Sequence, residues 1–304
     1  MSRRVLLYTE MVTAPALVRG GARHLLRFDT AEHPVALQIG GSDPKELAEA
    51  ARMGAEEGYD EINLNVGCPS DRVQSGTFGA VLMKSPGLVA DCVTAMQSAV
   101  EVPVTVKCRI GVDDQDPDEV LPDFLRQMRD AGVRTVAIHA RKAWLQGLSP
   151  KENREVPPLN YPLVHAMKAA FPDMTIVING GVGSLDEAVE HLNAGMDGVM
   201  VGRAAYQTPW AILGDLDRRV FGAENPFEAP EDTVQAMYPY IARHLQDGGR
   251  LHAVTRHMLG LFSGRPGARH WRRTLSEGAH QPDAGLEVIE AALVEVMQDR
   301  AAAE

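Results

Sequence analysis

Thr175-Ile176-Val177-Ile178-Asn179-Gly180-Gly181-Val182-Gly183-Ser184 reads as a buried strand that ends in a glycine turn and runs into a helix start. β-Branched residues favour the strand, and Ser184 with Glu187 three residues later has the form of a capping box. Glycines at such a turn let backbone N–H groups approach a phosphate, and a following helix N-terminus adds partial positive charge. Gly202-Arg203 repeats the arrangement after the next apolar run, with a guanidinium added. Either turn alone is equally well a plain strand end. Paired on consecutive strands, the two match the last two strands of a (β/α) barrel, whose phosphate sites follow strands seven and eight.

Working outward, apolar runs at 5–9, 35–39, 61–66, 104–108, 135–139, 175–178 and 198–201 alternate with helical patterns. Asp43-Pro44, with Glu46 completing a capping box, and Ser85-Pro86 open two of the helices. Repeated strand–helix units predict a parallel sheet and a TIM-type barrel over residues 1–225. Counting backwards from the two phosphate-type turns makes 5–9 the second barrel strand, so seven strands are visible and the first is missing. After Asn225-Pro226 the pattern turns helical, with segments at 231–246, 252–261 and 286–298, which predicts a helical domain over 226–304.

Composition excludes several classes. The 304 residues are 45% hydrophobic and 23% charged, as in ordinary soluble proteins. No apolar run spans a bilayer and the N-terminus lacks a secretory pattern, so a cytoplasmic protein without membrane contact is expected. Cys68, Cys92 and Cys108 form neither a disulfide framework nor a metal motif, and no metal is expected. Cys92 in a helical pattern and Cys108 ending a strand read as buried thiols. Cys68, among Gly, Pro and Ser after a strand, reads as an accessible one. A net charge of −11 argues against nonspecific nucleic-acid binding. Yet Arg265-Pro266-Gly267-Ala268-Arg269-His270-Trp271-Arg272-Arg273 holds four arginines and no acid, leaving room for a local RNA surface, or for a solvated helix face.

Three polar residues stand at strand ends where apolar ones would be expected: Gln38, Lys107 and His139. A lone lysine or histidine there is usually structural. Three on successive barrel strands, at the ends from which catalytic groups come, suit a bound ring that needs hydrogen bonds and charge stabilisation.

These segments resemble the tRNA-dihydrouridine synthases, most of all their bacterial A-type branch. The resemblance rests on Leu37-Gln38-Ile39-Gly40, Asn63-Leu64-Asn65-Val66-Gly67-Cys68-Pro69-Ser70, Val106-Lys107-Cys108-Arg109, Ile138-His139-Ala140-Arg141, Ile178-Asn179-Gly180-Gly181 and Val201-Gly202-Arg203. It implies an FMN-dependent barrel that reduces uridine in the tRNA D-loop with NADPH as reductant. It implies Cys68 as the acid that protonates C5, and Gln38, Lys107 and His139 as flavin contacts. Asn179, Gly180, Gly181, Gly202 and Arg203 correspond to the phosphate end, and Asn65 to a position near the uracil. tRNA is the expected partner, with no obligate protein partner. Candidate RNA contacts are Arg269, Arg272 and Arg273, with Trp271 offering stacking, and Arg141, Lys151 and Arg154 on the loop after the His139 strand.

The family pattern begins with a first strand ending in Ala-Pro-Met, which this sequence lacks. The expectation is a native product longer by about 30 residues, the size of one βα unit. Two alternatives remain open from the sequence: a flavin barrel acting on a free pyrimidine, such as a dihydroorotate dehydrogenase, and an inactive tRNA-binding remnant.

Overall fold

The computed structural model describes residues 1–70 and 78–303, the side chains of the last four excepted. Its sheet contains β1 (Leu7–Tyr8), β2 (Val12–Thr13), β3 (Val35–Gly40), β4 (Glu61–Val66), β5 (Val104–Arg109), β6 (Thr135–His139), β7 (Thr175–Asn179) and β8 (Gly198–Met200). All neighbours pair in parallel, in the order β1-β3-β4-β5-β6-β7-β8, and β2 also pairs with β3.

β1 and β2 are two pieces of one strand position. Leu7 lies beside Val35 and Val12 beside Ile39. Between the pieces, Thr9 takes over with its side chain: its N–H donates to Ala36 O at 3.0 Å, and its Oγ1 accepts from Gln38 N at 3.0 Å. Among the described residues, seven strand positions therefore form a TIM-type barrel sheet, the number that the apolar runs predict.

Helices Pro44–Glu57, Pro86–Gln97, Pro117–Asp130, Tyr161–Ala170 and Leu185–Asn193 alternate with the strands, so each parallel crossover is a βαβ unit. The starts of Pro44–Glu57, Pro117–Asp130 and Tyr161–Ala170 follow from proline in the first turn with Asp43, Asp116 and Asn160 as N-caps. Two expected caps differ. Ser85 makes no side-chain cap bond, and Glu46 pairs with Arg19 at 2.9 Å, where a capping box would turn it back on Asp43. An ionised partner within reach outcompetes a neutral backbone N–H.

The chain divides into two compact units. One is Val5–Val182 with Glu190–Met200, and holds the whole sheet. Its core is a single cluster that includes Leu37, Ile39, Ile62, Leu64, Val66, Val106 and Ile138. The other is Met1–Arg4, Gly183–Val189 and Val201–Glu304. Helices Arg203–Gln207, Pro209–Leu213 and Leu216–Phe221, which the sequence reading places within the barrel domain ending at 225, group with the C-terminal helices. The first residues join them because Arg3 N donates to buried Asp217 at 3.0 Å and Ser2 Oγ donates to the same carboxylate.

Within the second unit, helices Pro230–Gln246, Ala268–Gly278 and Leu286–Ala303 enclose a core of Val234, Ile241, Phe262, Trp271, Leu275 and Ile289. The helix expected over 252–261 is confined to Leu251–Thr255 and continues as turns. Helix Ala268–Gly278 is not picked out by the helical spacing alone. Among the described residues no helix is long and apolar enough to cross a membrane.

Candidate active site

Strand alternation sorts the side chains of the sheet. Leu37 and Ile62 point toward Gly54 of the helix outside them, leaving no room for a Cβ there. Gln38 on β3 and Glu61, Asn63 and Asn65 on β4 therefore point to the barrel interior. Paired neighbours in parallel strands share a side. Gln38 lies beside Asn63, Asn63 beside Thr105, Asn65 beside Lys107, Arg109 beside His139, and His139 beside Asn179. The register thus gathers Gln38, Asn65, Lys107, His139 and Asn179 on one face, at or near the C-terminal strand ends.

Cys68 follows β4 directly, and its backbone is held on both sides. Asn65 Oδ1 accepts from the N–H of Gly67 at 3.0 Å and of Cys68 at 2.9 Å, an Asx-type turn. The Cys68 carbonyl accepts from Ala80 N at 2.8 Å. Cys68 is half-buried, and its Sγ lies 3.5 Å from Ser70 Oγ. Cys92 and Cys108 are buried, as expected, and burial above all pushes both thiols up to about 12.

Arg109 stands behind this loop and was not among the residues expected at the site. It is 2% exposed. Its Nε donates to Gly67 O at 3.1 Å, and its Nη1 to Lys142 O at 3.2 Å and Asn153 O at 2.9 Å. One buried guanidinium so ties the cysteine turn to the loop after β6. Asn153, fully buried, organises that loop further: Trp144 N donates to its Oδ1 at 2.7 Å, and its Nδ2 donates to Trp144 O at 2.8 Å. A charge ending the apolar run 104–108 is the signal that points to Arg109. Nothing local marks Asn153.

Lys107 is flanked by Arg109, and its ammonium is disfavoured first by burial and then by that guanidinium, so its pKa falls to about 8. The lysine carries its charge at neutral pH and gives it up just above. The sign for stability follows from linkage: between about 8 and the ordinary lysine value, the unfolded chain holds a proton that the folded chain has released. Folding therefore strengthens with rising pH across that window and gains nothing from this group below it. Urea titrations of the parent and Lys107→Met should diverge above pH 8, the parent gaining relative to the variant; parallel curves up to pH 10 would contradict it.

The turn after β7 requires glycine, because the chain turns with positive φ and packs closely against neighbouring side chains. Gly180 has φ +106°, and a Cβ on it would lie 2.4 Å from His139 Cδ2. Gly181 has φ +78°, and its Cβ would lie 2.6 Å from Leu159 Cδ1. Tyr161 holds the turn by donating its hydroxyl to Gly180 O at 2.5 Å. Asn179 Nδ2 donates to Met200 O at 2.7 Å, which ties β7 to β8. Glu187 accepts from Gly183 N at 2.7 Å, so that N–H is engaged by a carboxylate. Gly202 and Arg203 lie in the second unit, exposed, where a five-residue helix begins.

The candidate RNA contacts fall in two places. Lys151 and Arg154 are exposed on the loop after β6, whereas Arg141 spends donors on the carbonyls of Glu155 and Pro157. Trp144 is exposed there, with Lys142 Nζ 5.5 Å from its ring centre. In the second unit, Arg269, Arg272 and Arg273 are exposed on helix Ala268–Gly278. Trp271 on the same helix is not available for stacking. It is fully buried against Phe262, with its indole N–H donating to Met258 O at 3.0 Å. An aromatic on the apolar side of an amphipathic helix contributes more as core than as a solvent-facing ring. Among the described residues no cluster of His, Cys, Asp and Glu is placed to hold a metal ion.

The inner face thus brings together a lysine, amides and an imidazole, with a glycine turn after β7 and the half-buried Cys68 after β4. The sequence matches the dihydrouridine synthase family over residues 1–298. Among similar proteins, the tRNA-dihydrouridine(20/20a) synthase of Vibrio vulnificus is 55% identical, over 98% of this chain and 91% of its own length. That of Escherichia coli strain K12 is 57% identical, over 99% of this chain and 86% of its own. A solved chain of DHODH in complex with ferulenol, from Eimeria tenella, is similar over 67% of this chain and 65% of its own, with 16% identity and a TM-score of 0.46. With its sequence matched almost end to end and its candidate site on the inner face of the sheet, the chain belongs to the dihydrouridine synthase family.

Proposed function

We propose that this protein reduces uridine to dihydrouridine in transfer RNA, with FMN at the mouth of the barrel and NADPH as reductant. The observation that carries this reading is the Cys68 turn, pinned by Asn65 and Ala80 and only half-buried, in a member of this family. Relatives named for positions 20 and 20a suggest the same D-loop sites as substrates.

Gln38, Lys107 and His139 would hold the flavin ring, and Asn179, Gly180 and Gly181 its phosphate end. The residues present fit that group by the chemistry of their donors, since the strand register sets Gln38, Lys107 and His139 on one face of the sheet. Bound FMN supplies hydride, which no side chain provides. Cys68 would supply the other hydrogen, its S–H bond breaking as the proton moves to C5 of the uracil, with C6 as the carbon that the hydride would reach. The thiolate left on Sγ then takes a proton from solvent. The charged Lys107 balances negative charge arising next to it.

A base inside a stack cannot reach a barrel mouth, so the target nucleotide leaves its stack. Phosphates on either side of it would meet Lys151 and Arg154, with Arg141 behind them, and the helical region 226–304 would add Arg269, Arg272 and Arg273. Their confinement to two patches reconciles RNA binding with a net charge of −11. The proposed place of work is the cytoplasm.

The test is dihydrouridine mapping in tRNA from cells that lack this gene. The modification at the D-loop sites should disappear and return with the parent gene, while free uracil and uridine added to the purified protein are left unreduced. Unchanged tRNA in the deletion strain would exclude the reading, and turnover of a free pyrimidine would turn it toward the dihydroorotate dehydrogenase class.

A further inference from the structure

Inside the barrel, hydrogen bonds run without a break from Glu61, at the start of β4, to the turn that holds Cys68. Tyr8 Oη and Thr105 Oγ1 both donate to Glu61 Oε1 at 2.6 Å. Asn63 Nδ2 donates to Thr105 Oγ1 at 2.8 Å, and Gln38 Nε2 to Asn63 Oδ1 at 2.9 Å. Asn65 Nδ2 donates to Gln38 Oε1 at 2.7 Å, and Asn65 Oδ1 accepts the two backbone N–H groups of the cysteine turn. Asn63 and Thr105 are essentially closed off from solvent.

The direction of this chain is determined at both ends. A carboxylate only accepts, so Thr105 gives its single hydroxyl proton to Glu61 and must accept from Asn63. Asn63 then presents NH2 downward and its oxygen upward, which turns Gln38 and next Asn65 the same way. From the other end, backbone N–H groups only donate, so Asn65 must point its oxygen at the turn and its NH2 at Gln38. Both ends require one orientation of three amides that would otherwise flip freely. Tyr8 joins as a donor: burial first, then the charge of Glu61, raises its pKa and keeps the phenol protonated.

This has a chemical consequence at the mouth. The oxygens of Gln38 and Asn65 are both engaged, and each NH2 spends one proton within the chain. Asn65, whose oxygen accepts twice, has only one N–H left for a ligand, whereas Gln38, whose oxygen accepts once, keeps one N–H and one lone pair. We propose that Glu61 and Thr105 are positioning residues that fix the orientation of Gln38 and Asn65 and leave Asn65 only an N–H to offer, so that the mouth selects a ring with a carbonyl oxygen at that place. Uracil and the dione end of an isoalloxazine meet that demand, whereas the C4 amino group of cytosine would set a donor against a donor. The inference rests on the reading that these amides face the flavin and the uracil.

The experiment compares Thr105→Val, which keeps the shape and removes the hydroxyl, with Thr105→Ser, which restores it. Its primary readout needs neither cofactor nor substrate: hydrogen exchange of the side-chain amides of Asn63, Gln38 and Asn65 by NMR. In Thr105→Val these should exchange about tenfold faster than in the parent, with backbone amides of β4 unchanged, and Thr105→Ser should return them to the parent rate. FMN titration should weaken about tenfold in the valine variant and recover in the serine one, at the scale of one good hydrogen bond to the ring. Should Thr105→Val fail to fold, Glu61→Leu against Glu61→Gln asks the same question from the lower end, since the glutamine oxygen can still accept. Equal side-chain exchange in the breaking and restoring variants would overturn the proposal, as would faster exchange throughout β4. A parent protein that binds no flavin would instead remove the functional reading and leave the exchange result standing.

Discussion

Replacing Cys68 by alanine lowers the rate of dihydrouridine formation in a single turnover by roughly 10²–10⁴-fold, the range covered by loss of a positioned general acid. Reduction of the bound flavin by NADPH, measured in the same preparation, stays within about twofold, because hydride transfer to the flavin needs no proton from this thiol. The turn keeps its form in the variant. Asn65 and Ala80 hold residue 68 by backbone groups that alanine retains. A loss of rate with unchanged tRNA affinity is therefore the expected signature. Parent-like turnover in the alanine variant would remove Cys68 from the chemistry and leave it a turn residue.

The second large effect is on stability. In Arg109→Met the carbonyls of Gly67, Lys142 and Asn153 lose their shared donor in a place that solvent hardly reaches. An unsatisfied buried acceptor costs about 1–3 kcal/mol. Against this stands relief of a buried charge, visible in an Arg109 pKa that burial drives down to about 10. The net expectation is a loss of roughly 3–5 kcal/mol in urea denaturation, at the upper end of what single substitutions do. Arg109→Lys recovers only part, because an ammonium cannot place donors in the fork geometry of a guanidinium. A loss below about 1 kcal/mol in the methionine variant would mean that the loops find other partners.

What could be read beforehand follows from the range of the forces involved. Apolar runs and proline-led helix starts depend on neighbours within a few residues, so the strands, most helices and the seven-position count are legible in the sequence. So is the gathering of Gln38, Lys107 and His139, since parallel strands in sequential order must align their C-terminal ends. The break between β1 and β2 is not legible, because it depends on Thr9 meeting Ala36 and Gln38 across the sheet. Glu46 turns to Arg19 for the same reason, a partner 27 residues away that no local rule anticipates. Arg109 and Asn153 act on carbonyls that become neighbours only once three loops have assembled. Trp271 shows the converse error. Its arginine neighbours suggest an RNA-facing ring, yet one side of an amphipathic helix must fill a core, and the indole fills it.

The burial that separates Cys92 and Cys108 from Cys68 also makes the chain chemically addressable. With two sulfurs locked away as thiols and one accessible, a maleimide at neutral pH should attach once per chain, at residue 68. A fluorophore or spin label would then report from the mouth of the barrel, without any cysteine having to be engineered in or out.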